Sequence, residues 1–193
     1  MIVLASTSAA RRDMLSAAGV IHEALAAAVD EEAAKQALRH LDGRSLADAL
    51  AELKAVKLSS RRPGDLVLGC DQTLELEDGT LIDKPGTAVA EQLHQLQGKA
   101  HCLYSAVVAA ENGQPVWRHV EHAKLTMRPL SDAFIADYVT DEGAAVAGCV
   151  GGYRIEGRGV QLFSRIEGSH FTILGLPLLP LLAWLRARGD IAS

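Results

Sequence analysis

An apolar run, Leu66-Val67-Leu68-Gly69-Cys70, ends at Asp71 and is followed by Gln72-Thr73. An apolar strand that stops at an aspartate puts a carboxylate at the C-terminal edge of a sheet, where open α/β sheets place their ligands. Lys84-Pro85 comes next, a cation whose backbone the proline stiffens. Near the start of the chain, Ser6-Thr7-Ser8-Ala9-Ala10-Arg11-Arg12 reads as the turn between a strand and a helix. Unpaired N–H groups and the positive end of the dipole make such a helix start an anion site. Arg11 and Arg12 in the first turn oppose that dipole unless something negative binds there. A phosphate cradle together with a carboxylate able to serve as base or metal ligand points to chemistry on a phosphorylated small molecule.

Each residue also has a plainer reading. Ser8 is an ordinary helix cap beside two solvated arginines, and Asp71 a turn residue capping the next element. Asp30-Glu31-Glu32 is an acidic solvent face, from which Glu31 reaches a divalent metal only if its loop folds over the cleft. Lys54 lies one turn beyond Leu50, beside the apolar stripe of its helix, and is read as snorkelling or as reaching a phosphate. His119 and His122 point to opposite faces of a strand and are read as exposed. The tryptophans and tyrosines form no stacking platform and are taken as core filling.

The elements that must position these residues follow from periodicity and punctuation. Ile2–Ala5 reads as a strand, and Ser8 caps a helix through Ala18 that Gly19 closes. Ser45 and Asp48 resemble a capping box for a helix with Leu46, Leu50 and Leu53 along one stripe. Residues 66–70 form the next strand. Thr73–Leu76 and Thr80–Ile82 flank the turn signal Asp78-Gly79. A helix is expected over Val89–Leu96, a strand pair over His101–Ala110 and Val116–Met127 through Asn112-Gly113, and a helix over Ser131–Thr140. A strand over Val160–Ile166 and a helix over Leu176–Arg188, with Pro177 in its first turn, complete the chain. Residues 24–37 read as a weak helix or a loop. The class is α/β or α+β with a mixed sheet.

Composition narrows the options. At 193 residues, one domain over the whole chain, 1–193, is the expectation. Apolar residues make up 49% and aromatics 4%, so the core must be aliphatic. A net charge of −5 argues against nucleic-acid or anionic-membrane partners. Three scattered cysteines without a Cys-x-x-Cys pair fit a reducing cytoplasm. The first residues read as a buried strand, without the basic flank of a signal peptide. Ile173–Leu185 is interrupted by Gly175, Pro177 and Pro180 and falls short of the about 20 residues a membrane span needs. The reading is a soluble, cytoplasmic protein.

In this order the pieces resemble the Maf family of nucleoside triphosphate pyrophosphatases. The family's opening Leu-Ala-Ser-x-Ser-Pro-Arg-Arg is matched by Leu4-Ala5-Ser6-Thr7-Ser8-Ala9-Ala10-Arg11-Arg12, continuing to Leu15 and Gly19. Val29-Asp30-Glu31, Lys54-Ala55, Gly69-Cys70-Asp71-Gln72, Lys84-Pro85 and Leu96-Gln97-Gly98 match further elements. So do Leu130-Ser131 to Tyr138-Val139, Ala147-Gly148, Ile155-Glu156-Gly157 with Gly159, and Gly175-Leu176-Pro177. Ala9 replaces the family's proline and Ala10 a bulky or basic residue, Tyr104-Ser105 stands where a threonine is usual, and Thr172 where asparagine is common. Cys149-Val150-Gly151-Gly152 are extra. Asp71-Gln72 and Glu156 look like the branch that hydrolyses 7-methyl-GTP. The dTTP/UTP branch has Asp-Thr and Gln there, and Ala10 stands where the 7-methyl-GTP branch carries Trp.

The resemblance implies an α/β fold of the Maf/inosine triphosphatase type, with a mixed central sheet flanked by helices and two lobes around a deep cleft. It implies a house-cleaning hydrolase that converts a nucleoside triphosphate to the monophosphate and pyrophosphate with a divalent metal cation such as Mg²⁺ or Mn²⁺, in a possible homodimer. Asp71 would act as base, Glu31 and Asp71 would hold the metal, and Lys54 and Lys84 would stabilise the phosphates. Ser6, Ser8, Arg11 and Arg12 would cradle them, and Ala10, Gln72 and Glu156 would set base preference. Two rivals stand beside this. A haloacid-type phosphatase would want a second aspartate where Thr73 stands, and a nucleotide-binding regulator of cell division would have less need of Asp71, Lys54 and Lys84.

Overall fold

The structure, a computed structural model, describes residues 1–192. Strand β1 (Ile2–Ala5) is buried along its length and pairs in parallel with β2 (His22–Ala24) and with β3 (Leu66–Leu76). Beyond β3 the sheet turns antiparallel. β5 (Ala100–Glu111) lies on β3, β6 (Gln114–Met127) on β5, and β7 (Phe163–Glu167) on β6, while the two-residue β4 (Leu81–Ile82) also pairs with β3. The order is β2-β1-β3-β5-β6-β7. This is the mixed central sheet expected from the sequence.

Strand β3 does not stop at Cys70. It runs on through Asp71 and joins the segment read as a separate strand, because β5 pairs with it from Val67 to Leu76. What ends is its neighbour. β1 finishes with Ala5 opposite Gly69, and β4 begins only opposite Leu74. Between them one edge of β3 has no strand on it while the other stays paired, Asp71 to Ala106 and Gln72 to Ser105. The sheet edge that places Asp71 is thus made by the shortness of β1.

Helix α1 (Ala9–Ala17) is capped by the Ser8 side chain, and Gly19, at φ +72°, ends its turn. Helix α2 (Glu31–Ala37) is capped by Asp30, so the weak segment does form a helix. Helix α3 (Gly43–Ser59) starts earlier than the Ser45 reading, because the Asp42 carboxylate is the cap and Ser45 supplies the N–H it accepts. α3 lies very close to the sheet. A Cβ on Gly69 would sit 2.1 Å from the Ala51 carbonyl oxygen, and Ala47, Ala51 and Ala55 form the fully buried contact face. Small residues on both sides allow this approach and carry Lys54 down onto β3.

Helix α4 (Val89–Leu96) and the hairpin of β5 and β6 fall where expected, with Asn112 (φ +50°) and Gly113 (φ +79°) making the turn. Helix α5 (Asp132–Val146), capped by Ser131, is longer than read. The expected strand from Val160 starts at Phe163, and 3₁₀ turns occupy Val150–Gly152 and Arg158–Leu162. Helix α6 (His170–Ile173) precedes α7 (Leu178–Arg188), in which Pro177 is the cap. Trp117 and Trp184 stack on each other, ring centroids 4.9 Å apart, where core filling was expected. No helix among the described residues is long and apolar enough to cross a membrane.

Candidate active site

A cavity of about 780 Å³ opens over the uncovered edge of β3. Its walls come from the turn before α1, the segment before α2, α3, Lys84 and the segment of residues 148–156. Ser6, Ser8, Ala10, Arg11, Glu31, Lys54, Asp71, Gln72, Lys84 and Glu156 all line it. Arg12, on the exposed side of α1, does not.

The strand's period of two divides its residues between two neighbours. Asp71, Thr73 and Glu75 face α3. Asp71 accepts from Lys54 Nζ at 2.6 Å, Thr73 Oγ1 donates to the Gly43 carbonyl at 2.7 Å, and Glu75 accepts from Gly43 N at 2.8 Å. Lys54 is therefore not snorkelling. Its side chain is only 9% exposed and its Nζ also lies 2.9 Å from Glu31 Oε1 at the start of α2. Burial pulls its ammonium toward neutrality, but Asp71 and Glu31 outweigh burial and leave its pKa above the usual lysine value. Burial likewise raises Glu31, yet Lys54, Lys84 and Lys35 outweigh it and hold the carboxyl below its ordinary range. The cluster sets two carboxylate side chains on one ammonium.

On the α1 side, Arg11 does more than the first-turn arginine of the sequence reading. Its Nε donates to Gly175 O at 2.8 Å, and its Nη1 reaches Cys70 O at 3.1 Å and Ser6 Oγ at 3.2 Å. It ties the turn before α1 to β3 and to the α6–α7 connection, and Nη2 enters none of these bonds. Lys84 is set by its neighbours. Asp83 accepts from Lys84 N and is ion-paired to Lys35 of α2 at 2.6 Å, so the Lys84 segment is pinned to the helix that carries Glu31.

Glu156 stands exposed between the two 3₁₀ turns. Its segment is anchored below: Tyr153 Oη lies 2.7 Å from His101 Nε2, and Arg154 pairs with Glu142 of α5 at 3.0 Å. Burial pulls His101 down to about 4, so the ring is neutral at physiological pH. Gly159 has no room for a side chain, since a Cβ would lie 2.4 Å from Arg154 O. The extra residues 149–152 build the first of these turns.

Sequence reasoning missed Ser105, Thr172, Tyr153 and Arg154 as parts of this region. Ser105 and Thr172 differ from the family pattern, and the structure brings them together: Ser105 Oγ donates to Thr172 O at 2.7 Å. A departure at each of two distant positions was the available signal. Among the described residues no group of three or more His, Cys, Asp or Glu side chains converges, and the two cavity carboxylates Glu31 and Asp71 meet at Lys54 Nζ.

Comparison with known proteins agrees with this geometry. The family described as Maf-like protein matches residues 1–188. A nucleoside triphosphate pyrophosphatase of Sphingopyxis alaskensis is 53% identical over 97% of this chain and 97% of its own. One of Caulobacter vibrioides is 53% identical over 98% and 96%. A 7-methyl-GTP pyrophosphatase of Rhizobium meliloti is 49% identical over 99% and 98%. A match over nearly the whole length makes this chain a member of the Maf family.

Proposed function

We propose that the protein hydrolyses a nucleoside triphosphate between the α- and β-phosphates, releasing the monophosphate and pyrophosphate. The observation that carries this reading is the meeting of the fixed Asp71 carboxylate with Arg11, Lys54 and Lys84 in one cavity. Its relatives bear the names of pyrophosphatases. Water attacks the α-phosphorus in line with the bridging oxygen, its proton passes to Asp71, and the bridging P–O bond breaks toward pyrophosphate. Lys54 holds the Asp71 carboxylate in place. Arg11, Lys84 and the N–H groups at the start of α1, with Ser6 and Ser8, stabilise the phosphate oxygens where charge grows.

A divalent cation would be held by Glu31 and Asp71 through the oxygens that Lys54 does not take. Two carboxylates plus substrate phosphates and water is a usual complement for Mg²⁺. When bound it would neutralise triphosphate charge.

Glu156 favours a base that offers N–H donors on one edge, as guanine does, and 7-methylguanine adds positive charge. The two carbonyls of uracil or thymine are repelled. Ala10 leaves the base without a large side chain to stack on, so modified purines fit as well. The haloacid alternative gains nothing from Thr73, whose hydroxyl is spent on Gly43 O. The reading is tested by incubation with GTP and Mg²⁺ and quantitation of products. Equal amounts of GMP and pyrophosphate are expected, and orthophosphate with accumulating GDP would overturn it.

A further inference from the structure

Gln72 faces away from Lys54, toward α6. Its Nε2 lies 2.9 Å from Ser105 Oγ, 3.1 Å from Thr172 O and 3.0 Å from Ile173 O. The two carbonyl oxygens can only accept, so the NH₂ end of the amide, and not Oε1, must face them. That chemistry fixes which way the amide points, a choice its shape alone leaves open. Ser105 completes the arrangement. Fully buried, it gives its proton to Thr172 O and turns a lone pair to Gln72, whose two N–H protons are shared among the three acceptors. The Thr172 hydroxyl is committed to Glu121 Oε2 at 2.6 Å, which holds α6 against β6 and keeps the carbonyls in place. Gln72 Oε1 enters no hydrogen bond among the described residues and is not among the buried atoms left without a partner. Oε1 is therefore accessible, on a residue that lines the cavity.

We propose that Ser105 is a positioning residue for substrate selection: with the Thr172 and Ile173 carbonyls it locks Gln72 so that only an acceptor faces the nucleotide, where it takes an N–H of the base. A free glutamine side chain could turn either end to a ligand and would discriminate little. The locked one adds a second acceptor to Glu156 and selects donor-rich base edges, of which guanine presents N1–H and the exocyclic amine. This rests on the pyrophosphatase reading above and adds Ser105 as the residue that orients a base-reading group.

The test compares kcat/KM for GTP, dGTP and UTP in wild type, Ser105→Ala and Ser105→Thr. In Ser105→Ala the GTP-to-UTP ratio should fall about fivefold, chiefly through KM, as expected when one uniform binding contact loosens. The dGTP value should fall with GTP, and Ser105→Thr, which keeps the hydroxyl, should restore the ratio. Because each ratio is taken within one preparation, partial unfolding cancels. Should Ser105→Ala not fold, Ser105→Cys, similar in size with a weaker hydrogen bond, takes its place. Equal losses on GTP and UTP would show a merely structural serine and overturn the proposal. A fall for GTP without one for dGTP would assign the contact to the ribose hydroxyl and overturn it too. Wild type that releases orthophosphate instead of pyrophosphate would refute the underlying reaction, a separate and distinguishable result.

Discussion

The α3 wall of the cavity and the wall made by residues 148–156 solve opposite problems. On the first, Lys54, Asp71 and Glu31 sit on two helices and a strand, packed by alanines and a glycine, with both carboxylates already paired to the one ammonium. On the second, Glu156 stands exposed on a segment of 3₁₀ turns, and its carboxylate has no ion-pair partner among the described residues. The difference separates two demands. A base must be aimed before substrate arrives, which regular elements and a buried ion pair supply. A specificity group must keep its hydrogen-bonding capacity for the ligand, which an unpaired side chain on a separately anchored loop supplies.

The contrast is broken most severely at Asp71. Asp71→Asn keeps the shape and removes the basic carboxylate, so kcat should drop by about 10²–10⁴-fold, the usual worth of general-base catalysis. Steady-state rates on GTP check it, and turnover near wild type would reduce Asp71 to a structural strand residue.

Lys54→Met tests the same wall through stability. Removing one partner of a buried ionic cluster leaves carboxylates uncompensated, at a cost of about 3 kcal/mol in denaturant melts. The difference between wild type and variant should also depend on pH in a definite way. Glu31 is held below its ordinary value of 4.5, so its share is complete above that pH and is lost as acid carries the protein through the lower folded value. Lys54 is held above 10.5, so its share is complete below that pH and is lost as alkali passes the higher folded value. A plateau between these limits is expected, and a stability difference that changes steeply near neutrality would contradict the pairing.

The exposed wall should respond more gently. Glu156→Gln keeps an acceptor but removes the charge, and the selectivity for GTP over UTP should narrow about fivefold, ~1 kcal/mol, with Tm unchanged. Substrate ratios that do not move would remove Glu156 from base recognition.

Much of the ordered wall was legible in the sequence. An apolar strand meeting Asp71, a cation-bearing helix and a Ser8 cap are local patterns, and they name the residues that meet. Their partners were not legible, because pairing is tertiary. Lys54 reads as a snorkelling lysine until Gly69 and Ala51 bring α3 close enough to bury it. Arg11 reads as a surface first-turn residue, although its acceptors at Cys70 and Gly175 are far away along the chain. Asp71 reads as the end of its strand because its polarity interrupts an apolar run, while the continuation depends on pairing with β5. The exposed wall was harder still. Its 3₁₀ turns follow no hydrophobic period, and Ser105 and Thr172 carry meaning only once they are seen to face Gln72.

The central claim is that water attacks the α-phosphorus with Asp71 as base, and hydrolysis in ¹⁸O-labelled water tests it most directly. Mass spectrometry of the products should find one labelled oxygen in the nucleoside monophosphate and none in pyrophosphate. Label in pyrophosphate would place the attack on the β-phosphorus and contradict the account.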